Sequence, residues 1–463
     1  MNSETLYDAI TNINDSLVDA AELSQEKRKS AKQLRNRRLR FAVTAFATAA
    51  AILVGIIFRP DSASSPILKA SAIVEAEYPE RSQYAQVSND YIPILSDFAV
   101  NNIRTMLSGT ENNNRTVSPL NIYMALSMMA EITDGNSRAQ ILDVLGCSDI
   151  EELRSTANAV WHANYRNSGT TTNHLASSLW LSNSISYNTD TLNALADNYY
   201  ADSYRGEMGS PELDSTLRNW LSEQTGGQLS DQISNVSLNP LTAIALATTV
   251  QFHGKWESKF SESATTVQTF HSPTGDIDCD FMRKSENRYL YWGDNFSAVC
   301  LYFSEGGYMK IILPDEGYTT DDLLSDKAVL SFMTSRPHEW ENKKMIMVRM
   351  RIPKFDVSSQ LELSDTLKKL GITDAFDATV SDYSPLTENY EEPVKLSEVR
   401  HGARVVIDES GCTATAFTLN QYETGFVPPE DEVDFVADRP FLFVISYRDN
   451  LPLFAGVVNQ PIQ

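Results

Sequence analysis

The residues that could carry out enzyme chemistry do not occur at the spacings that catalysis requires. The chain has no GxSxG nucleophile elbow, no GxxxxGK[ST] phosphate loop and no GxGxxG dinucleotide fingerprint. His338 and Glu339 lack the second histidine of a zinc-protease helix. We therefore predict that the chain is not an enzyme, with no catalytic residues and no cofactor.

Three alternating acidic residues resemble the start of a calcium loop. Asp276, Asp278 and Asp280 have the right spacing, but Phe281 stands where such a loop needs glycine. The pattern instead predicts a polar-faced strand whose inward residues are Ile277, Cys279 and Phe281. No CxxC pair exists, so we predict neither a metal site nor a disulfide framework from Cys147, Cys279, Cys300 and Cys412.

The most unusual segment lies at 401–429. A predicted strand ends near Ile407, and no proline occurs from Glu409 to Val427, so nothing prevents this segment from becoming a strand. One set of alternate positions is small throughout: Cys412, Ala414, Ala416, Thr418. In a strand these side chains face away from the other set, Thr413, Thr415, Phe417, Leu419. The small set could slide over a packed core without steric cost.

The elements that must position this segment show a clear order along the chain. Apolar periodicity and capping residues predict helices at 91–108, from Ser118-Pro119 to Glu131, 137–145, 150–163, 190–199, 212–224 and 362–370. Apolar and β-branched runs predict strands at 241–252, 308–313, 344–352, 394–407, 441–447 and 453–458, the first buried on both faces. Because helices come first and strands crowd the C-terminal half, we predict an α+β fold.

The N-terminal region contains a predicted membrane anchor. Residues 41–58 are eighteen uncharged residues, preceded by eight Lys and Arg within 27–40. We predict a cytoplasmic basic tail at 1–40, a transmembrane signal anchor at 41–58, an extracellular linker at 59–88 and a folded domain at 89–463. The alternative is a signal peptide cleaved near residue 64, which would release a secreted domain.

The net charge limits the possible partners. It is −23 for the whole chain, and residues 1–40 contribute +2, so the remainder carries about −25. Nucleic acid is therefore excluded as a partner, whereas an acidic surface can steer a basic partner toward it. We expect a monomer.

Several stretches resemble the signature blocks of one protein family, the serpins. They are spread in the family's order over residues 89–463: 116–129, 220–232, 252–256 with Phe260, 311–314, 352–355, 370–376 and 438–443. The resemblance implies the serpin fold, in which helices pack on a large central mixed β-sheet, with further sheets and an exposed reactive-centre loop. It implies inhibition of serine proteases by loop cleavage and insertion into the main sheet. An uncleaved anchor with a basic inner flank suggests a bacterial cell surface.

The resemblance also implies which residues belong to the loop. The inhibitory hinge begins with Glu-x-Gly, matched here by Glu409 and Gly411, and comprises Glu409, Ser410, Gly411, Cys412, Thr413, Ala414, Thr415 and Ala416. Counting from the hinge puts the reactive bond at Gly425-Phe426, and counting back from Pro440 allows Phe426-Val427. The first suits an elastase-like protease and the second a chymotrypsin-like protease.

Four more residues are implied to support opening of the main sheet. Lys354 is expected to pair with Glu409, with Trp256 packed nearby, while Ser118 and His401 match positions beneath the sheet centre. The family usually has Asn where this chain has Thr248. A non-inhibitory serpin, acting as a surface binding module or a cleavage sensor, is the competing hypothesis.

Overall fold

The computed structural model describes most of the C-terminal 393 residues of the chain. The described residues are 71–79, 91–110, 112–167, 171–225, 233–234, 236–387, 394–396, 399–412, 431–447 and 452–461. Contacts divide the chain into Met1–Ile67 and Leu68–Gln463, and all described residues belong to the second unit.

Helices predominate in the first part of the described domain. Its α-helices are α1 (Ile92–Leu107), α2 (Pro119–Glu131), α3 (Gly135–Leu145), α4 (Ile150–Asn164), α5 (Thr189–Tyr199), α6 (Pro211–Gln224), α7 (Thr320–Ser325), α8 (Lys327–Thr334) and α9 (Ser364–Lys369). Short 3-10 helices occur at Glu262–Ala264, Pro337–Glu339 and Asp374–Phe376.

The strands form two large sheets. They are β1 (Ser71–Val74), β2 (Arg115–Val117), β3 (Arg166–Asn167), β4 (Thr171–Ser182), β5 (Ala201–Gly206), β6 (Ile244–Lys255), β7 (Thr266–Ser272), β8 (Gly275–Trp292), β9 (Phe296–Tyr302), β10 (Tyr308–Pro314), β11 (Lys343–Pro353), β12 (Phe355–Glu362), β13 (Arg400–Ile407), β14 (Gly411–Cys412), β15 (Glu432–Val436), β16 (Phe441–Ser446) and β17 (Pro452–Val458).

The sheet that concerns function is mixed. Its strand order is β1-β5-β4-β6-β14-β13-β12, with β3 paired to β4. Strands β4 and β5 are parallel, whereas β4 pairs antiparallel with β6 and β12 with β13. The second sheet has the order β15-β11-β8-β9-β10-β16-β17-β2, with β7 paired to β8. The predicted α+β architecture, helices on a large mixed sheet with a further sheet, is confirmed.

Helix α2 lies between the two sheets and is buried on every side. All thirteen of its residues are buried, and it contacts β6 of the first sheet and β17 of the second. Its start is locally encoded: the Ser118 hydroxyl accepts a hydrogen bond from the Asn121 amide at 3.2 Å, and Pro119 occupies the first turn. On the opposite face of the first sheet, α6 packs against β6.

Most predicted elements are present, and the differences have physical causes. The seven predicted helices end within two residues of their observed limits. The strand predicted at 394–407 begins only at Arg400, because the amide of Leu396 donates to Ala375 outside any sheet. Strand β6 is largely buried on one face and half-covered on the other, so the prediction of burial on both faces was wrong. In β8, Cys279 and Phe281 are buried and Asp278 and Asp280 are exposed, as predicted.

The N-terminal boundary also differs from expectation. Within the expected linker 59–88, residues 71–74 pair antiparallel with β5 as an added edge strand. In the described part of the domain, no helix has the length and apolarity needed to cross a membrane. The predicted anchor at 41–58 lies outside the described residues.

Candidate functional site

The predicted hinge enters the first sheet between two of its strands. Gly411 and Cys412 pair with Lys255 and Gly254 of β6, and Cys412 also pairs with Ile407 of β13. Gly411 has φ 153°, and a Cβ atom there would lie 2.1 Å from the carbonyl oxygen of Gly254. Only glycine therefore fits at this entry point.

Glu409 is held at the entry by a set of polar contacts. Its carboxylate lies 3.3 Å from the Lys354 ammonium and accepts a 2.7 Å hydrogen bond from the Thr265 hydroxyl. Its backbone carbonyl accepts from the Phe260 amide at 3.1 Å. Burial acts to raise the pKa of Glu409, but the hydrogen bonds from Thr265 and Lys354 outweigh it and lower the pKa. The side chain is thus kept charged and fixed.

Trp256 holds the turn in which the hinge begins. Its indole Nε1 donates to the Asp408 carbonyl at 2.9 Å, and its amide donates to the Ser410 carbonyl at 3.0 Å. Trp256 is 3% exposed, and its ring stacks on Phe303 at a centroid distance of 4.8 Å. The Asp408 carboxylate closes the turn by accepting from the amides of Ser410 and Gly411.

Below Cys412 the two flanking strands approach each other until they pair directly. Strands β6 and β13 run parallel, and their direct bridge within the described residues joins Leu246 to Val399. Cys412 pairs with Gly254 on one side and Ile407 on the other, so these two residues lie opposite each other. Gly254 and Ile407 are related by the same sequence offset as the bridged residues Leu246 and Val399. A strand that continues β14 would therefore be in register with both neighbours. We call the junction between β6 and β13, from Cys412 down to the bridge at Leu246, the inter-strand gap.

His401 lies under the lower part of the gap. Its Nε2 accepts a 3.0 Å hydrogen bond from the Ser118 amide at the start of α2. Complete burial lowers the pKa of His401 to about 4, so the ring is neutral at physiological pH. The register between β6 and β13 puts Thr248 opposite His401.

The structure thus joins Glu409 with Lys354 and Trp256, and Ser118 with His401, in two clusters at different levels of the gap. Two contributors to the first cluster, Thr265 and Asp408, were not found from the sequence. The sequence could have indicated the role of Asp408, because an aspartate side chain often accepts hydrogen bonds from the backbone amides two or three residues later and so favours a turn. Thr265 has no such local signal, because only the fold brings it close to Glu409. The hinge residues Thr413, Ala414, Thr415 and Ala416 and the reactive bond Gly425-Phe426 lie outside the described residues.

Comparison with known proteins identifies the family. Residues 94–461 match the model of the family described as "Serpin (serine protease inhibitor)". The chain belongs to the serpin family, whose members are in general protease inhibitors and not enzymes.

Three relatives illustrate the match. Serpin-ZX of Arabidopsis thaliana is 30% identical over 375 residues, covering 76% of this chain and 93% of the relative. The plasma serine protease inhibitor of Mus musculus is 27% identical over 383 residues, covering 80% of this chain and 90% of the relative. The native-state crystal structure of the thermophilic serpin tengpin superposes with a TM-score of 0.74 at 24% identity, covering 84% of this chain and 99% of tengpin.

Proposed function

We propose that this chain inhibits serine proteases as a suicide substrate: the loop is cleaved, and its N-terminal part inserts into the inter-strand gap before the acyl-enzyme hydrolyses. The observation that carries this proposal is the position of Gly411 and Cys412, already paired between β6 and β13 at the top of the inter-strand gap. The hinge residues Glu409 to Ala416 would act as the leading part of the inserted strand.

The register of the gap supports insertion. Cys412 faces the main core, so in a continued strand the small alternate set would face the same way. The same register would bring Thr418 between Thr248 and His401. About ten new backbone hydrogen bonds, at about 1 kcal/mol net each, would release on the order of 10 kcal/mol, enough to distort a bound protease.

The target that we propose is an elastase-like protease. Gly425 before the reactive bond would suit a shallow specificity pocket, whereas a bond one residue later, after Phe426, would suit a chymotrypsin-like enzyme. The net charge of about −25 after residue 40 favours approach of a basic protease.

Incubation of the chain with elastase-like and chymotrypsin-like proteases tests the proposal. We expect a complex that survives denaturing electrophoresis. Mass spectrometry should show that the released C-terminal peptide begins at Phe426 or Val427. Loop cleavage without such a complex would contradict the inhibitor proposal and favour the binding module or cleavage sensor.

We further propose that residues 41–58 hold the inhibitory domain on the outer face of a membrane, as in a bacterial cell envelope. The uncharged run and its basic flank support this proposal. Carbonate extraction of membranes should leave the chain in the pellet. A soluble product whose N-terminus lies near residue 64 would contradict anchoring and indicate secretion.

A further inference from the structure

A cavity of about 300 Å³ lies under α6, where β6 faces β12 and β13. Most of its wall is apolar. The side chains that matter most are Trp180, Leu217, Leu221, Leu246, Ala247 and Leu361. Cavities of this size and character are typical of sites for small molecules, which bury most of their surface against apolar walls and are oriented by a few polar groups.

One polar group in the wall is the imidazole of His401, and its hydrogen bond to Ser118 shows which ring nitrogen carries the proton. The Ser118 amide can only donate, so Nε2 of His401 must be the acceptor in their 3.0 Å hydrogen bond. Since the ring is neutral, its proton is on Nδ1. His401 also lines the cavity.

A second polar group is unsatisfied. The hydroxyl of Thr249 is buried, and the residue is only 3% exposed, yet no described residue provides it with a hydrogen-bond partner. A buried hydroxyl without a partner is costly, so an occupant with a suitable polar atom would gain affinity there.

The described residues of the cavity wall offer little to an ionic occupant. The described residues that line the cavity include no Lys or Arg, and Glu362 already accepts a 2.9 Å hydrogen bond from the Ser364 amide. An anion would gain no counter-charge from these described residues. A cation would have to compete with the Ser364 amide for Glu362.

We propose that this cavity is a binding site for a neutral two-ring aromatic compound that carries a carbonyl oxygen, with the diaryl ketones as the matching chemical class. A cavity of about 150 Å³ holds benzene, so about twice that volume fits two rings. The carbonyl would accept from the Nδ1 of His401 or from the Thr249 hydroxyl.

The site overlaps the path of the inserting loop. Continuing the register of β14 brings residue 418 between Thr248 and His401, both of which line the cavity. An occupant would therefore block the last part of insertion and turn the inhibitor into a substrate. This consequence rests on the proposed function, whereas binding to the intact chain does not.

Benzophenone tests the site directly, because on irradiation it labels C–H bonds that it contacts. With the full chain in lipid nanodiscs, we expect labels on peptides containing Trp180, Leu217 or Ala247. Benzophenone-4-carboxylate, its anionic analogue, should label at least tenfold less. Labels that map elsewhere, or equal labelling by the anion, would overturn the proposal.

Two variants sharpen the test. Ala247→Phe fills the cavity and should abolish labelling, while the matched Ala328→Phe, at an exposed position on α8, should leave it unchanged. Thr249→Val keeps the shape and should weaken labelling about threefold to tenfold. Undiminished labelling of both Ala247→Phe and Thr249→Val would overturn the site.

Loop-cleaved protein separates the two claims. Loss of labelling after cleavage is expected if the inserted strand fills the cavity. Retained labelling in cleaved protein, together with labelling of the intact chain, would overturn the overlap with the loop path while leaving the binding site supported.

Discussion

At the scale of single residues, Cys412 is the hinge residue that pairs with both flanking strands of the sheet. Its side chain is 2% exposed and faces the core beside Gly254 and Ile407. A charge at this position would have to be buried without a partner. We predict that Cys412→Arg prevents insertion, so that the protein is cleaved as a substrate and forms at least tenfold less denaturation-resistant complex, measured by gel electrophoresis.

The matched control for this prediction is Cys412→Ser, which keeps a small uncharged side chain. It should form complex at nearly the level of the unmodified chain. Equal complex formation by the Arg and Ser variants would show that a small buried side chain at 412 is not required for loop insertion.

His401 gives a prediction of pH dependence. Its folded-state pKa of about 4 is depressed below the ordinary 6.5 of an unfolded histidine. Between these pH values His401 binds a proton in the unfolded chain but not in the folded chain. The contribution of this group to stability is therefore fully present above pH 6.5 and is lost as pH falls toward 4. The loss is up to about 3 kcal/mol, at roughly 1.4 kcal/mol per pKa unit.

The predicted loss of stability at low pH can be checked by measuring melting temperatures at pH 7.5, 6 and 5. The measurement compares the unmodified chain with His401→Gln. Glutamine can still accept from the Ser118 amide but does not titrate, so its melting temperature should fall less on acidification. Parallel curves for the two proteins would rule out His401 as a source of acid sensitivity.

At the scale of elements, the N-terminal strand β1 is tied to α6 through one buried carboxylate. Asp202 of β5 accepts hydrogen bonds from the Ala76 amide and from the Trp220 indole of α6, both at 3.0 Å. Burial raises the pKa of Asp202 against the effect of these two donors. The Tyr78 hydroxyl adds a 3.3 Å hydrogen bond to the Tyr200 carbonyl. The segment 71–79 is therefore part of the folded domain.

Removal of this carboxylate should release the segment. We predict that Asp202→Ala costs about 1–3 kcal/mol, because it leaves buried donors without an acceptor. Hydrogen exchange in peptides covering 71–79 and 211–224 should become faster. Asp197→Ala, at an exposed position on α5, is the control and should change neither peptide. Unchanged exchange in the Asp202 variant would mean that β1 is held by its strand pairing alone.

At the scale of the whole molecule, the sequence predicted those features whose signals are local. The Ser118-Pro119 cap and the apolar periodicity of α2 gave its limits, because both act within one helix. Strand β4 was missed because buried polar residues such as Asn173, Ser177 and Ser178 hide its pattern, and because β6, its antiparallel partner, begins more than sixty residues away. The contact between Lys354 and Glu409 was expected only from family resemblance, since their separation in sequence carries no local signal.

The final prediction concerns the stability of the whole fold after the loop is cut. If residues 413–418 fill the inter-strand gap, roughly ten hydrogen bonds are gained, on the order of 10 kcal/mol. For a domain of this size, a melting temperature higher by at least about 10 °C follows. Calorimetry of the intact chain, the loop-cleaved chain and loop-cleaved Cys412→Arg compares the states directly. Only the cleaved unmodified chain should gain heat resistance, because the arginine blocks entry of the strand; if it melts where the intact chain does, insertion does not occur.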